Sequence, residues 1–369
     1  MNFFPSSSWA AAHPARAPQG RLRTTPKKDI MIRSVSISMA LLLGALALHA
    51  QTSATLNIEV NQTKSAVSPT LYGLMTEEIN YSYDGGLYAE LIRNRTFRSD
   101  WTGVLNWFLV EKGSAAAKIG VDPKEGPSSA LTGSAKREVT KADANSSAGI
   151  LNEGYWGIAV RPNTRYTGSF FAKTTSDVAL PVTIALVADH WGQVLAKTSV
   201  PVGGTAWKQY TFEMQSGNAA ASSENHFEMT LDRPATLWLQ LVSLFPPTYH
   251  SRTNGNRIDI MEKLAAMKPA LFVNVNPGGM QWTSDLIGYN ALNSYGSPSY
   301  YAQVMFSSCL GDRTANSSVS GASDKFFYSV TASPGKLCLK LVNASSAPQP
   351  VNIAFNGTGA GTHAATFKP

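Results

Sequence analysis

Residues 68–97 read SPTLYGLMTEEINYSYDGGLYAELIRNRTF, and the rest of the chain is arranged about them. An apolar strand at residues 71–75 runs into two carboxylates, Glu77 and Glu78, and then into a polar turn closed by Asp84, Gly85 and Gly86. Leu87, Leu91 and Ile92 follow at helical spacing. Carboxylates at the carboxyl end of a strand, ahead of a glycine turn and a helix, stand where barrel and α/β enzymes place polar site groups. By local pattern alone the same residues also describe a solvated loop.

The stretch resembles the opening of the catalytic domain in the α-L-arabinofuranosidases of glycoside hydrolase family 51, where it forms the first βα unit of a TIM-type barrel. The resemblance gives Glu77 the place of a carboxylate lining the arabinose subsite. It gives neither Glu77 nor Glu78 a place in the family's catalytic pair. Just upstream, TLNIEV at residues 55–60 alternates as a strand with Leu56, Ile58 and Val60 on one face. In the resembled family this strand leaves the barrel and joins the C-terminal β-domain.

The 369 residues, 43% of them apolar with 15% charged, describe a foldable globular chain with room for two or three domains. The formal charge of +7 is concentrated at the start. Residues 1–50 carry six of the 31 Lys and Arg against one acid, Asp29, which leaves 25 against 23 beyond them. A near-neutral remainder lacks the clustered positive charge that nucleic acid demands. Residues 31–50 read as a secretory signal, with Arg33 as the charged head, an apolar run over 39–48 and Ala50 before the cut at Gln51. That run is too short to span a bilayer. Met1 and Met31 are alternative starts. The expectation is a secreted or periplasmic protein with no membrane association after signal cleavage. Sequons occur at Asn61, Asn80, Asn94, Asn145, Asn316, Asn343 and Asn356, and they matter only in a eukaryotic secretory pathway.

Over 101–250 short strand patterns recur, broken by Gly, Pro, Asn and Ser. Trp156, Ile158 and Val160 alternate, as do Tyr210, Phe212 and Met214, then Phe227, Met229 and Leu231, then Leu237, Leu239 and Leu241. This spacing predicts a jelly-roll-like antiparallel sandwich. GYWGIAVRPNTRYTGSFFAK at 154–173 and LQLVSLFPPTY at 239–249 resemble the family 4/9-like carbohydrate-binding module that this branch of family 51 inserts into its barrel. Sugars stack their CH faces on aromatic rings, so Tyr155, Trp156, Trp191 and Trp207 are the candidate platforms. Core packing is the alternative for Trp156 and Trp207, while Trp191 sits in an Asp-His-Trp-Gly turn.

Ile260, Leu264 and Met267 predict a helix that Pro269 stops. In the resembled family a barrel strand with an Arg-x-Pro-Gly-Gly ending follows. Here LFVNVNPGGMQW at 271–282 matches a later part, the loop leaving the last barrel strands. The chain therefore jumps across most of the barrel at a junction near 269–279. A (β/α)8 barrel needs about 200–250 residues, and only a remnant fits at 251–290. Retaining hydrolysis needs two carboxylates about 5–5.5 Å apart, but beyond Glu262 the chain holds no glutamate, only Asp285, Asp312 and Asp324. No catalytic residue is assigned. Asn152-Glu153 reads like the family's Asn-Glu pair but lies in the sandwich pattern.

Residues 291–369 alternate again, through Tyr301, Gln303 and Met305, then Phe326, Tyr328 and Val330, Leu337, Leu339 and Leu341, and Val351, Ile353 and Phe355. They predict a shortened C-terminal antiparallel β-sandwich with an exposed edge. Cys309 and Cys338, both read as lying on β segments, form a disulfide or stay as buried thiols, and two cysteines alone make no metal site. The fold expectation is mainly β, a jelly-roll-like sandwich plus a C-terminal β-sandwich, with remnants of a TIM barrel. The resemblance implies arabinose-containing plant polysaccharide as the partner, no cofactor and no metal. Its label is hydrolysis of terminal arabinofuranosides from arabinoxylan or arabinan, with the catalytic glutamates absent here. The alternatives are a non-catalytic secreted carbohydrate-binding protein, or a junction introduced by a gene-model or assembly error.

Overall fold

The computed structural model describes residues 53–76, 78, 81–98, 103–274 and 286–357, with the backbone alone at 271–274. The described residues are mainly β, in several sheets with two α-helices. Strand β1 (Ala54–Ala66) buries Leu56 and Ile58 completely. The first strand of the barrel remnant, β2 (Gly73–Thr76), starts two residues later than the apolar pattern suggests, because a turn from Ser68 O to Leu71 N occupies the beginning of that run.

Ten strands then build the sandwich. They are β3 (Trp107–Lys112), β4 (Ala116–Asp122), β5 (Ser134–Lys141), β6 (Ser147–Asn152), β7 (Arg165–Thr174), β8 (Leu180–Ala188), β9 (Val194–Val202), β10 (Lys208–Gln215), β11 (Asn225–Leu231) and β12 (Ala235–Phe245). One sheet runs β10-β7-β12-β5-β4 and the other β3-β6-β11-β8-β9, with every pairing antiparallel. Phe227, Met229 and Leu231 point inward from β11, as Phe212 and Met214 do from β10. Rings of Phe170, Phe212 and Phe227 follow one another at 6.2 and 6.3 Å and connect the two layers.

Two of the alternation readings fail here. Residues 154–160 form no strand: isolated bridges, Gly154–Gly157 and Val160–Ser222, and bonds between Ile158 and Asn225 hold them, so Ile158 and Val160 are buried while Trp156 is exposed. In β12 the burial phase flips after Leu239. Leu241 takes a left-handed φ of 51° at a register shift between Gln240 and Ser243, and Val242 and Leu244 become the buried residues. The bulge is held by Gln240, whose amide donates to Thr96 O and Gly133 O while its own oxygen accepts from Leu241 N.

The helix expected from Leu87, Leu91 and Ile92 is also absent. Residues 84–97 run as turns and bridges along the end of the sandwich. Leu91 N bonds outward to Leu244 O and Arg95 O accepts from Val242 N, while Leu87 N, Tyr88 N and Phe97 N close short turns on Ser82 O, Tyr83 O and Asn94 O in place of a helical ladder. Tertiary hydrogen bonds to an existing sheet have outweighed a short apolar periodicity that had no helical layer to join.

Beyond the sandwich, α1 (Ile258–Ala266) buries Ile260, with Met267 at its C-cap. Strand β13 (Leu271–Asn274) pairs parallel with β2, from Leu271 opposite Gly73 to Asn274 opposite Thr76. A small hairpin, β14 (Ile287–Tyr289) and β15 (Ser294–Gly296), precedes α2 (Pro298–Ser308). The expected strand through Tyr301, Gln303 and Met305 is therefore a helix. Ser297 caps it by accepting from Tyr300 N, and Pro298 occupies the first turn, where a missing N–H costs nothing.

Strands β16 (Arg313–Ser320), β17 (Phe326–Ser333), β18 (Lys336–Asn343) and β19 (Val351–Asn356) join β1 in the order β18-β17-β16-β1-β19. Strand β1 thus lies inside the C-terminal sheet, antiparallel to β16 and parallel to β19. Cys309, at the end of α2 and not on a strand, is disulfide-bonded to Cys338 of β18, with Cα atoms 5.6 Å apart.

One amide ties the remnant to the sandwich. Asn152 Oδ1 accepts from Arg93 N (3.1 Å) and Gly154 N (3.0 Å), and its Nδ2 donates to Arg93 O (2.9 Å) and Asn106 O (3.0 Å). Asn152→Ala leaves those four backbone groups, two of them buried and the two of Arg93 half-buried, without that partner. At about 1–3 kcal/mol for a stranded buried group, less what water recovers, the loss is expected to be about 3 kcal/mol or more. Urea unfolding should show it as a lower midpoint with an unchanged slope.

Candidate functional site

The local chain that leads into the site is set by a glycine. Gly85 adopts φ 84°, and a Cβ there would stand 2.3 Å from Cγ of Tyr155. Only glycine allows this turn to press against the tyrosine ring. The ring of Tyr81 meets those of Tyr155 and Trp156 edge-on at 5.4 and 5.3 Å, and the Arg93 guanidinium lies 4.8 Å over Tyr81. These contacts fix the pose of two of the four candidate platforms.

Tyr155 and Trp156 line a cleft of about 350 Å³ between the end of the sandwich, α1 and the residue 290–292 turn. Tyr88 and Tyr166 add further rings, and Arg161, Arg257, Asp259 and Glu262 supply charge. Trp156 is 44% exposed. Arg257 grips Asp259 with Nε and Nη2 at 3.1 and 2.8 Å and donates through Nη1 to Asn290 O at 2.7 Å. Burial would push the Asp259 carboxyl up, but that fork outweighs it and holds the group below its usual range. Arg161 donates to Leu292 O, so two arginines draw the same turn over the cleft. Burial pushes the Tyr155 hydroxyl up, so it stays a neutral donor at physiological pH.

Glu90 also borders the cleft, only 2% exposed. Its Oε1 accepts from Ile92 N (3.0 Å) and Leu244 N (2.9 Å), and Oε2 faces Arg95 Nη1 at 3.4 Å. Burial nevertheless pushes its carboxyl up to about 7.

Trp191 stands apart, 88% exposed at the tip of the β8–β9 hairpin, where Gly192 turns with φ 61°. His190 beside it reaches Glu224 at 3.2 Å. Trp207 is half-buried: its Nε1 is enclosed without an acceptor, and Lys173 lies between it and Trp238, at 6.0 and 5.0 Å from the two rings. Its surroundings are those of a packing residue. Glu77 lies outside the described residues. Its neighbour Glu78 accepts from Tyr83 N at 2.9 Å. Glu153 is exposed, accepts from Asn106 Nδ2 and does not line the cleft.

The open face of the second sheet carries a polar row that the sequence reading passed over. His226 Nδ1 meets Asp189 at 2.6 Å and its Nε2 meets Glu228 at 3.1 Å, while Lys112 Nζ meets the other Glu228 oxygen at 2.6 Å. The Glu228 hydrogen bond raises the His226 pKa. Desolvation pushes Glu228 up, but its bonds to His226 and Lys112 outweigh it and leave it lowered. The signal was in the same alternation that buried Phe227 and Met229: His226 and Glu228 are its intervening positions. Among the described residues, no three His, Cys, Asp or Glu side chains converge as metal ligands, and no helix is long and apolar enough to cross a membrane.

The ten-stranded sandwich is thus inserted between two parallel-paired strands, with the first strand of the chain returned to the C-terminal sheet. Comparison with known proteins gives the family. No family model matches the chain. A probable α-L-arabinofuranosidase A of Aspergillus flavus is 31% identical over 219 residues, 58% of this chain and 33% of the relative. The α-L-arabinofuranosidase A of Aspergillus kawachii is 30% identical over 264 residues, 70% of this chain and 40% of the relative. An extracellular exo-α-L-arabinofuranosidase of Streptomyces chartreusis is 30% identical over 263 residues, 67% of this chain and 29% of the relative. The arabinose-bound structure of a family 51 α-L-arabinofuranosidase superposes with a TM-score of 0.52 at 35% identity, covering 60% of this chain and 36% of that one. Over the part these matches cover, the chain belongs to the α-L-arabinofuranosidases of glycoside hydrolase family 51. It spans 29–40% of the length of these curated relatives.

The buried Glu90 makes a pH prediction. Its folded pKa of about 7 lies above the ordinary 4.5, so between these values the folded chain holds the extra proton. Its contribution to stability is therefore full below about pH 4.5 and is lost as pH rises to 7. Glu90→Gln removes that slope. Measured by urea unfolding from pH 4.5 to 8, the variant is expected to gain on the native chain by up to about 3 kcal/mol across the window.

Proposed function

We propose that this chain is a secreted sugar-binding protein built on an arabinofuranosidase frame, retaining arabinose-bearing polysaccharide without hydrolysing it. The observation that carries the reading is the cleft at Tyr155 and Trp156, which combines aromatic faces with charged hydrogen-bonding groups in the proportions sugars require. The extracellular Streptomyces relative supports an exported location. In this reading 51–100 supply the first strand and the first barrel unit, 101–250 the binding module, 251–290 the barrel remnant and 291–369 the C-terminal β-domain.

The absence of turnover rests on the acids. Retaining hydrolysis needs a nucleophile and an acid/base about 5–5.5 Å apart, and no glutamate follows Glu262. Of the acids at the cleft, Asp259 is engaged by Arg257 and Glu90 by two backbone amides and Arg95, which leaves Glu262 alone where retaining hydrolysis needs two. Glu77 serves as a sugar contact by resemblance, and Trp191 as a second, detached platform. Arabinoxylan and arabinan are the substrates of choice for a test, because the matched relatives are named for arabinofuranoside chemistry.

The experiment is a retention assay on insoluble arabinoxylan beside a release assay with a chromogenic α-L-arabinofuranoside. The native chain is expected to be retained and to release nothing. Trp156→Ala is expected to weaken retention roughly threefold to tenfold, the worth of one lost ring contact. Release of arabinose that disappears in Glu77→Gln would overturn the reading, as would retention indifferent to both Trp156→Ala and Trp191→Ala.

A further inference from the structure

The sandwich interior contains a charge that no acid among the described residues pairs with. Strand β5 alternates in phase, turning Ala135, Arg137 and Val139 inward, and Arg137 is fully buried. Its neighbours on the strand do not help, because Lys136 and Glu138 pair with each other at 2.7 Å on the outer face. Arg137 Nη1 crosses the core to donate to Met229 O of β11 at 2.6 Å. Its Nε and Nη2 are enclosed and have no acceptor among the described residues.

Those two atoms are not a random pair. In a guanidinium the Nε–H and one Nη2–H lie parallel along a single edge, the edge that grips an anion with two hydrogen bonds. The third nitrogen is the one already used. Burial lowers the Arg137 pKa only to about 10, which leaves the group charged at neutral pH. An uncompensated ion in a dry core costs several kcal/mol, and breaking a buried pair is far worse than never forming one. Water on that edge would satisfy the donors but leave the charge.

We propose that the sandwich holds one small monovalent inorganic anion of the halide class, bound on the Nε–Nη2 edge of Arg137 between β5 and β11. The surroundings select the ligand. Ala135 and Val139 flank Arg137 along the strand, and Ile119 and Leu237 stand abreast of it on the neighbouring strands, all of them apolar. A spherical anion asks for no donors beyond the two on offer. A polyatomic oxyanion or a divalent ion would bring lone pairs or charge that these walls leave unanswered. The site is part of the fold and independent of the sugar-binding reading.

The test is thermal unfolding of the whole chain at fixed ionic strength while sodium chloride replaces sodium gluconate. An anion held by the folded state and released on unfolding raises Tm by roughly 2 °C per tenfold increase in chloride once the site fills. Bromide is expected to substitute. Arg137→Met is expected to fold with a Tm indifferent to chloride, since it removes charge and donors together. A flat native response, or the same slope in Arg137→Met, would overturn the proposal and mean an adventitious ion only. Should Arg137→Met fail to fold, crystals of the native chain grown in bromide decide the matter. An anomalous peak within hydrogen-bonding distance of Nε and Nη2 supports the site, and its absence sinks it.

Discussion

The arrangement of this molecule depends on how Asn152 is used. A primary amide offers two donors and two acceptor lone pairs, and in the sandwich's inner strand β6 all of that capacity is spent on backbone groups of residues 93, 106 and 154. The segment that enters from β2 is thereby joined to the jelly roll by its main chain, not by side-chain contact alone. Asn94 repeats the device at the next step, with its amide on Gly103 O and Leu105 O and its own carbonyl taking Trp107 Nε1. Because the two ends of the insertion are pinned this way, the turn at Gly85 and the loop at Tyr155 meet, and the cleft follows from their meeting.

The same constraint explains how a fragment of barrel persists. Parallel strands are stable when both faces are covered and neighbours exist on both sides. Here β2 has β13 on one edge, and α1 and α2 cover it through a small cluster of Leu74, Met267 and Tyr300. In a closed barrel the first strand lies beside both the second and the last. A strand from either of those positions, standing where β13 stands, gives β2 a parallel neighbour. Lys340 of β18 extends the support, donating to the Tyr72 hydroxyl at 3.0 Å beside the start of β2.

How far the sequence could be read follows from the range of the forces involved. Strands with period-two burial were legible because the pattern is local: β10, β11, β17 and β18 lie where Phe212, Phe227, Val330 and Leu339 place them. Errors came where a distant partner decides. Leu87, Leu91 and Ile92 have helical spacing, but Leu91 N meets Leu244 O at the end of β12, Leu87 N turns back to Ser82 O and Ile92 N is taken by the Glu90 carboxylate. Leu241 continues an alternation that Gln240, reaching Thr96 and Gly133, breaks. Tyr301 and Met305 alternate as in a strand, yet Ser297 and Pro298 just ahead were a helix start that the aromatic run obscured. For the site, Tyr155 and Trp156 were nameable as aromatics, but their companions Glu90, Arg257 and Asp259 come together only through the fold. Arg137 was invisible for the same reason, since an arginine in an alternating strand reads as an outward residue.

The C-terminal sheet imposes a further order on the chain. Strand β1 finds its partners in β16 and β19, so Thr55 waits for Ser320 and Asn352 before it has a ladder on either side. Contacts of such separation are formed late and at an entropic cost that local pairs avoid. The sandwich between them is self-contained, each of its strands pairing within residues 107–245. It can therefore fold first and bring its two ends, which Asn152 and Glu90 hold side by side, into register for the rest. The Cys309–Cys338 bridge then closes a loop across β16 and β17, and that bond persists in an oxidising compartment. The outer sheet, whose ladder spans the length of the chain, keeps its full stability only where that bond is not reduced.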